Sequence, residues 1–223
     1  MRLQRALLAG MILMVVSVIA PASAAAQPPW TLRLRGLYSD YTRDARTGYF
    51  SSASRLEFDR GEGVEVAAEY RPSPRIGVEL SASRLRLDAR YHQLDTRPIS
   101  FDPLVFEERE VFTDSGHFDL EPIALSLLIH PWPARRVDFY VGPQIAFTQF
   151  NVDVEGISDR DSEFAYGGKL GAELRLGDSP WTAGLDLRHL QVVHEATERD
   201  IYANIGINVL SFGFGLHLGG SRR

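Results

Sequence analysis

Side chains able to move a proton, attack a carbonyl or hold a metal are few in this chain. It has six histidines, His92, His117, His130, His189, His194 and His217, and no cysteine. The lack of cysteine excludes a disulfide scaffold and any Cys-ligated zinc or iron–sulfur site. His189 and His194 stand five apart, which on a strand sets them on opposite faces and spoils both a metal pair and a catalytic pair. Ser115, His117 and Asp119 have the residue types of a lipid hydrolase or acyltransferase, which would need nucleophile, base and orienting group within hydrogen-bond reach. Polar triplets of this kind also arise by chance, and the chain has no GxSxG elbow, HExxH pair or phosphate-cradling glycine loop. The sequence therefore predicts no enzyme, no cofactor and no metal site.

The remaining chemistry is charge, and its spacing is regular. Arg33, Arg35, Glu65, Glu69, Glu79, Asp138, Glu163, Lys169, Glu173, Arg175, Asp186 and Arg188 sit among residues that alternate with apolar ones. Trp30, Leu32 and Leu34 oppose Thr31, Arg33 and Arg35; Val64, Val66 and Tyr70 oppose Glu65 and Glu69; Trp181, Leu185 and Leu187 oppose Asp186 and Arg188. A period of two is the mark of strands with different surroundings on their two faces. Eight such segments follow one another, joined alternately by short proline-bearing turns (71–75, 130–136, 177–180) and longer polar connections (39–61, 88–118, 151–161, 194–200). Long and short connections at opposite ends are the asymmetry of an outer-membrane barrel, with short periplasmic turns and longer extracellular loops.

The formal charge is −5, with Lys+Arg 24 against Asp+Glu 29, which excludes a basic nucleic-acid binder. A hydrophobic fraction of 44% is too high for a disordered chain. Arg2 and Arg5, an apolar stretch over 6–20 and the small residues Ala22 to Ala26 predict a signal peptide over 1–26, cleaved to leave a single barrel over 27–223. Residues 201–221 carry no Asp, Glu, Lys or Arg, enough length for a membrane helix. Their glycines, and the recurrence of Phe212, Phe214, Leu216 and Leu218 at every second place, predict a long closing strand instead, with a slip of alternation, a bulge, near Leu210.

Alternation leaves open which face is inside. A soluble lipocalin-like barrel would turn the apolar face inward around a ligand. A membrane barrel would turn it outward and fill its lumen with the other face, and three features favour it. The apolar face lacks charge, aromatics such as Trp30, Tyr70, Phe147, Phe164 and Trp181 fall near strand ends, and the loops are asymmetric.

The run Gly63-Val64-Glu65-Val66-Ala67-Ala68-Glu69-Tyr70, a short turn, then Arg75-Ile76-Gly77-Val78-Glu79-Leu80 resembles the second hairpin of OmpW-type outer-membrane proteins. Leu120-Glu121-Pro122, Phe139-Tyr140-Val141-Gly142-Pro143 and the segment from Phe164 to Glu173 are similar to that family's next three strands. Trp181 to Arg188 and Ile207-Asn208-Val209 extend the likeness over nearly all of the mature chain. The resemblance implies an eight-stranded barrel in the outer membrane with a narrow, partly hydrophobic lumen, associated with passage of small hydrophobic compounds. Two departures stand out. The chain ends Leu218-Gly219-Gly220-Ser221-Arg222-Arg223 rather than on the aromatic residue usually read by the outer-membrane assembly machinery, and the connection 88–118 is rich in acids.

With the apolar face outward, the alternating charges line the lumen, as a ladder of ion pairs that fills it or as one that leaves a gap for a solute. A hydrophobic solute would avoid such a ladder. The expected route enters at the long loops, where Tyr38, Tyr41, Phe101, Phe106 and Phe112 supply apolar surface, and leaves sideways between strands. The expected partners are outer-membrane lipid, small hydrophobic solutes and the assembly machinery, with no nucleic acid. A non-conducting structural or adhesive surface barrel is the alternative from another class.

Overall fold

The computed structural model describes residues 30–40, 44–49, 52–101, 104–133, 136–154, 157–196 and 201–218. The expected signal peptide, Tyr41 and the residues after Leu218 lie outside them. The described elements are all strands: β1 (Trp30–Asp40), β2 (Asp44–Tyr49), β3 (Ser52–Ser73), β4 (Ile76–Phe101), β5 (Leu104–Ile129), β6 (Val137–Val154), β7 (Ile157–Arg175), β8 (Trp181–Ala196) and β9 (Ile201–Leu218). From β2 to β9 each pairs antiparallel with its neighbour in sequence, and β1 pairs with both β3 and β9, which closes the sheet. β2 pairs only with the far end of β3, from Asp44↔Glu57 to Tyr49↔Ser52. It continues the stave begun by β1, so the barrel has eight staves.

Burial settles which face is inside. Leu34, Val64, Phe212 and Phe214 are each 61% exposed, while their neighbours Arg33 and Arg35 are 4% and Glu65 is 1% exposed. An outward band of this extent would be a large apolar liability in water and is what a bilayer core requires. The lipocalin-like arrangement is thus overturned. Aromatic pairs rim the band: Trp30 with Tyr70 (5.1 Å between centroids) and Trp132 with Phe139 (6.1 Å) near the short turns, and Phe147 with Phe164 (5.6 Å) at the other side.

Two expectations need correction. The connections 39–61, 88–118, 151–161 and 194–200 are largely strand: β4 and β5 pair out to Phe101↔Leu104, and β6 and β7 as far as Val154↔Ile157. Beyond the lipid both faces can be polar, so period two fades, yet a hairpin still satisfies its backbone groups by zipping onward. The expected bulge near Leu210 is also absent. β8 and β9 pair without a register shift from Trp181↔Leu216 to Ala196↔Ile201, and faces alternate regularly, with Ile207, Val209 and Ser211 inside and Asn208, Leu210 and Phe212 outside.

What changes near Leu210 is the chemistry of each face. Toward the short turns the barrel is apolar outside and charged inside. Toward the long hairpins the outer face becomes polar, with Arg84, Arg86, Glu121, His189 and Asn208 exposed, and the inner face becomes apolar, with Leu85, Leu87, Leu120, Leu190 and Ile207 buried.

Candidate functional site

The lower lumen is a plug of paired charges. Arg33, on β1, donates to Glu69, Glu173 and, at 2.8 Å, Glu79. Arg35 donates to Glu65 at 2.6 Å and Glu79 at 3.2 Å, and its Nε lies 3.0 Å from Asp186. Lys169 reaches Glu79 at 2.5 Å. Arg188 grips Glu65 through both terminal nitrogens, Nη2 at 2.7 Å. In their midst Tyr140 donates to Asp186 at 3.2 Å, with the charged ends of Arg33 and Lys169 5.6 and 5.8 Å from its ring centroid. Burying ions costs several kcal/mol each unless geometry and hydrogen bonds compensate, and here each of these side chains is charge-paired.

Two glycines make room for this plug. A Cβ on Gly171 would come 2.4 Å from the Tyr140 ring, and one on Gly77 would come 2.0 Å from Glu69 Oε1. At the short-turn mouth Arg71 donates to Glu69 at 2.8 Å and Asp138 at 2.5 Å. His130, in the turn after β5, places Nε2 2.9 Å from Glu69 and Nδ1 3.0 Å from Asp138. Burial alone would lower the His130 pKa, but the hydrogen bonds to Asp138 and Glu69 raise it above the ordinary histidine value.

Of the charges expected in the lumen, Arg33, Arg35, Glu65, Glu69, Glu79, Lys169, Glu173, Asp186 and Arg188 are buried there together. Asp138 is half-buried at the mouth. Arg175 is exposed at the end of β7, a departure from its expected place in the lumen, because the chain turns toward Gly177 just beyond it. Arg71, His130 and Tyr140 belong to the plug and were not among the expected lumen residues. Arg71 and His130 border proline turns, which hid them, whereas the place of Tyr140 two residues after Asp138 on one strand face was a legible signal.

Above the plug lies an apolar cup. Leu37, Leu85, Leu87, Phe118, Leu120, Ile207 and Val209 form one buried cluster, with Phe150 stacked on Phe118 at 5.8 Å. Beside them is a small cavity of about 20 Å³, bounded also by Ser83, Pro122, Thr148, Arg188, Leu190 and Val192, room for roughly one water molecule. Arg188 is thus shared between cup and plug. Beside the cavity the β4–β5 ladder is interrupted without a change of register: the strands pair through Ala82↔Ile123 and resume at Leu85↔Leu120. Pro122 stands in the gap and has no N–H to give, while its other edge still pairs with Thr148 of β6. A second interruption, between Ser126↔Gln144 and Ile129↔Val141, falls at Pro143.

The entrance residues are placed unevenly. Tyr38 is half-buried on the outward face of β1, because Leu37 takes the inward position, so it does not line the entrance. Phe101, Phe106 and Phe112 lie on the strand backbones of β4 and β5, their side chains outside what is described, and Tyr41 lies outside altogether. Two members of the Ser115, His117, Asp119 triplet have partners outside it. His117 lies 3.3 Å from Asp88, and Asp119 accepts from Arg86 at 2.8 Å. That hydrogen bond holds the Asp119 carboxyl below the usual carboxylate range.

Sequence and fold comparisons agree with this geometry. The profile of the family described as outer membrane protein beta-barrel domain matches residues 11–217. Among solved structures the chain is similar to the outer membrane protein OprG from Pseudomonas aeruginosa, at 12% identity and a TM-score of 0.57 over 88% of this chain and 99% of that one. It is also similar to Neisserial surface protein A, at 12% identity and a TM-score of 0.52 over 84% of this chain and 96% of that one. No curated protein matches the sequence.

Proposed function

The chain belongs to the outer membrane protein beta-barrel domain family, and on that premise we propose that it eases the passage of small, mainly hydrophobic compounds, without cofactor or covalent chemistry. The barrel lies in the outer membrane with its short turns toward the periplasm and its long hairpins outward. One observation carries the reading: a buried apolar cluster lies on the long-hairpin side of the charged plug, with the β4–β5 ladder interrupted at Pro122 beside it. An apolar solute gains by leaving water for the cup. It is turned back by the plug, where it would have to part ion pairs, and the ladder weakened by the missing Pro122 N–H offers it a way sideways into the bilayer.

The test is uptake of a hydrophobic probe by proteoliposomes whose outer leaflet is lipopolysaccharide. Wild type is expected to speed uptake, Leu120→Asp to abolish the gain by placing a charge in the cup, and the triple change of Phe101, Phe106 and Phe112 to Ser to slow it. Uptake indifferent to Leu120→Asp would refute the reading.

A further inference from the structure

The short-turn end of the barrel carries positive charge that the protein leaves unmatched. Arg75, Arg136 and Arg175 are exposed there, and among the described residues none of the three guanidinium groups has a carboxylate within ion-pair distance. The acids two places along the same strands are taken: Asp138 lies against Arg71 and His130, and Glu173 against Arg33. Arg136 and Arg175 are also set side by side. Val137 pairs with Leu174, and the Arg175 N–H donates to the Arg136 carbonyl at 2.9 Å. The two therefore stand opposite each other where β6 begins and β7 ends, and like charges so placed repel. Arg75 adjoins the same turn, its carbonyl accepting from the His130 N–H at 2.8 Å. In the sequence Arg135 precedes Arg136, Arg222 and Arg223 follow shortly after the end of β9, and Asp178 is the one acid in the short turns. A chain whose net charge is −5 thus has a basic end.

These arginines stand at the level of lipid head groups. Arg75 adjoins Ile76, and Arg175 lies between Leu174 and Leu176, all exposed apolar side chains. Arg175 pairs with Thr182, next to the exposed Trp181, and Trp132, in the turn that leads to Arg136, is 52% exposed. Trp30, where β1 begins, completes the set: all three tryptophans of the chain are at this end, and indole rings mark the boundary between membrane and water. We propose that this rim binds anionic phospholipid of the periplasmic leaflet, with a head-group phosphate between Arg136 and Arg175. A guanidinium meets phosphate oxygens through parallel hydrogen bonds, and an anion between the two arginines relieves their repulsion. Arg75 on the neighbouring turn adds to the local positive field. A zwitterionic lipid brings its own cation to the rim and neutralises less of it. The binding needs nothing from the lumen and stands apart from solute passage.

The tryptophans make the test a fluorescence measurement on the full barrel in phosphatidylcholine vesicles. A small share of the lipid carries bromine on its acyl chains, as phosphatidylglycerol in one series and as phosphatidylcholine in the other, and quenching reports how often each lies against the short-turn rim. Brominated phosphatidylglycerol is expected to be enriched about fivefold over brominated phosphatidylcholine, the worth of about one basic residue at an anionic surface. Salt at about 1 M should erase that margin. Arg136→Gln combined with Arg175→Gln should remove most of it, whereas Arg84→Gln combined with Arg86→Gln, beyond the other edge of the apolar band, should leave it intact. The salt comparison on the unaltered barrel decides the matter if the first double variant does not insert. Equal quenching by the two lipids would overturn the proposal, as would a margin that survives salt or the loss of Arg136 and Arg175. Co-sedimentation with peptidoglycan sacculi that the same double variant abolishes, without any lipid margin, would overturn it too and assign the rim to the cell wall.

Discussion

Glu79 has three cations around one carboxylate: Arg33 at 2.8 Å, Arg35 at 3.2 Å and Lys169 at 2.5 Å. Glu79→Gln keeps the shape and removes the charge, leaving those cations in mutual repulsion in a buried site. Loss of about 3–5 kcal/mol is expected, read as a lower urea midpoint for the barrel in micelles. His130 works in the opposite pH sense from a carboxylate. Its folded-state pKa is raised, so its contribution is complete below the unfolded value of about 6.5 and is lost as pH rises through the raised one. Wild-type stability should decline as pH climbs from about 6.5, and His130→Gln should flatten that decline; an unchanged slope would remove His130 as its source.

At the scale of the strands, β5 is the element that joins the two halves of the lumen. It carries Phe118 and Leu120 in the cup, Pro122 at the break and Ser126 beside the plug. Pro122→Ala returns an N–H to the β4 edge and lets the ladder run from Ala82 to Leu85 without interruption. Slower probe uptake, together with new amide-exchange protection at residue 122, is the expected result; protection without any change in uptake would mean that solutes leave elsewhere. The strands within the bilayer were legible because lipid on one side and ion pairs on the other enforce a strict two-residue period. The cup was not, since it has apolar residues where the period calls for polar ones, and in β9 this resembled a slip at Leu210. Arg84-Leu85-Arg86-Leu87-Asp88 carries the same inversion and could have exposed it. The hairpin extensions were hidden for a simpler reason: backbone pairing leaves no trace in side chains that water touches on both faces.

For the molecule as a whole, the outward band measures how deeply each stave sits in lipid. Phe214, at the middle of the outward run from Leu210 to Leu218, is 61% exposed. Phe214→Arg should cost about 2–4 kcal/mol, the value for the bilayer midplane, whereas arginine at Leu218 should cost less; equal penalties would displace the band from this position. The plug has a different kind of reach, because its partners are remote in the chain. Lys169 and Glu79 are 90 residues apart, Arg188 and Glu65 are 123, and Arg33 and Glu173 are 140. A half-barrel of β1 to β4 would hold Arg33 with Glu69 and Arg35 with Glu65 but would lack Lys169, Glu173 and Arg188, leaving part of its charge without its native partners inside the bilayer. Stable insertion therefore waits until first and last staves meet. The same charges that close the lumen make assembly an all-or-none event, with the closed barrel the first state in which they are all at rest.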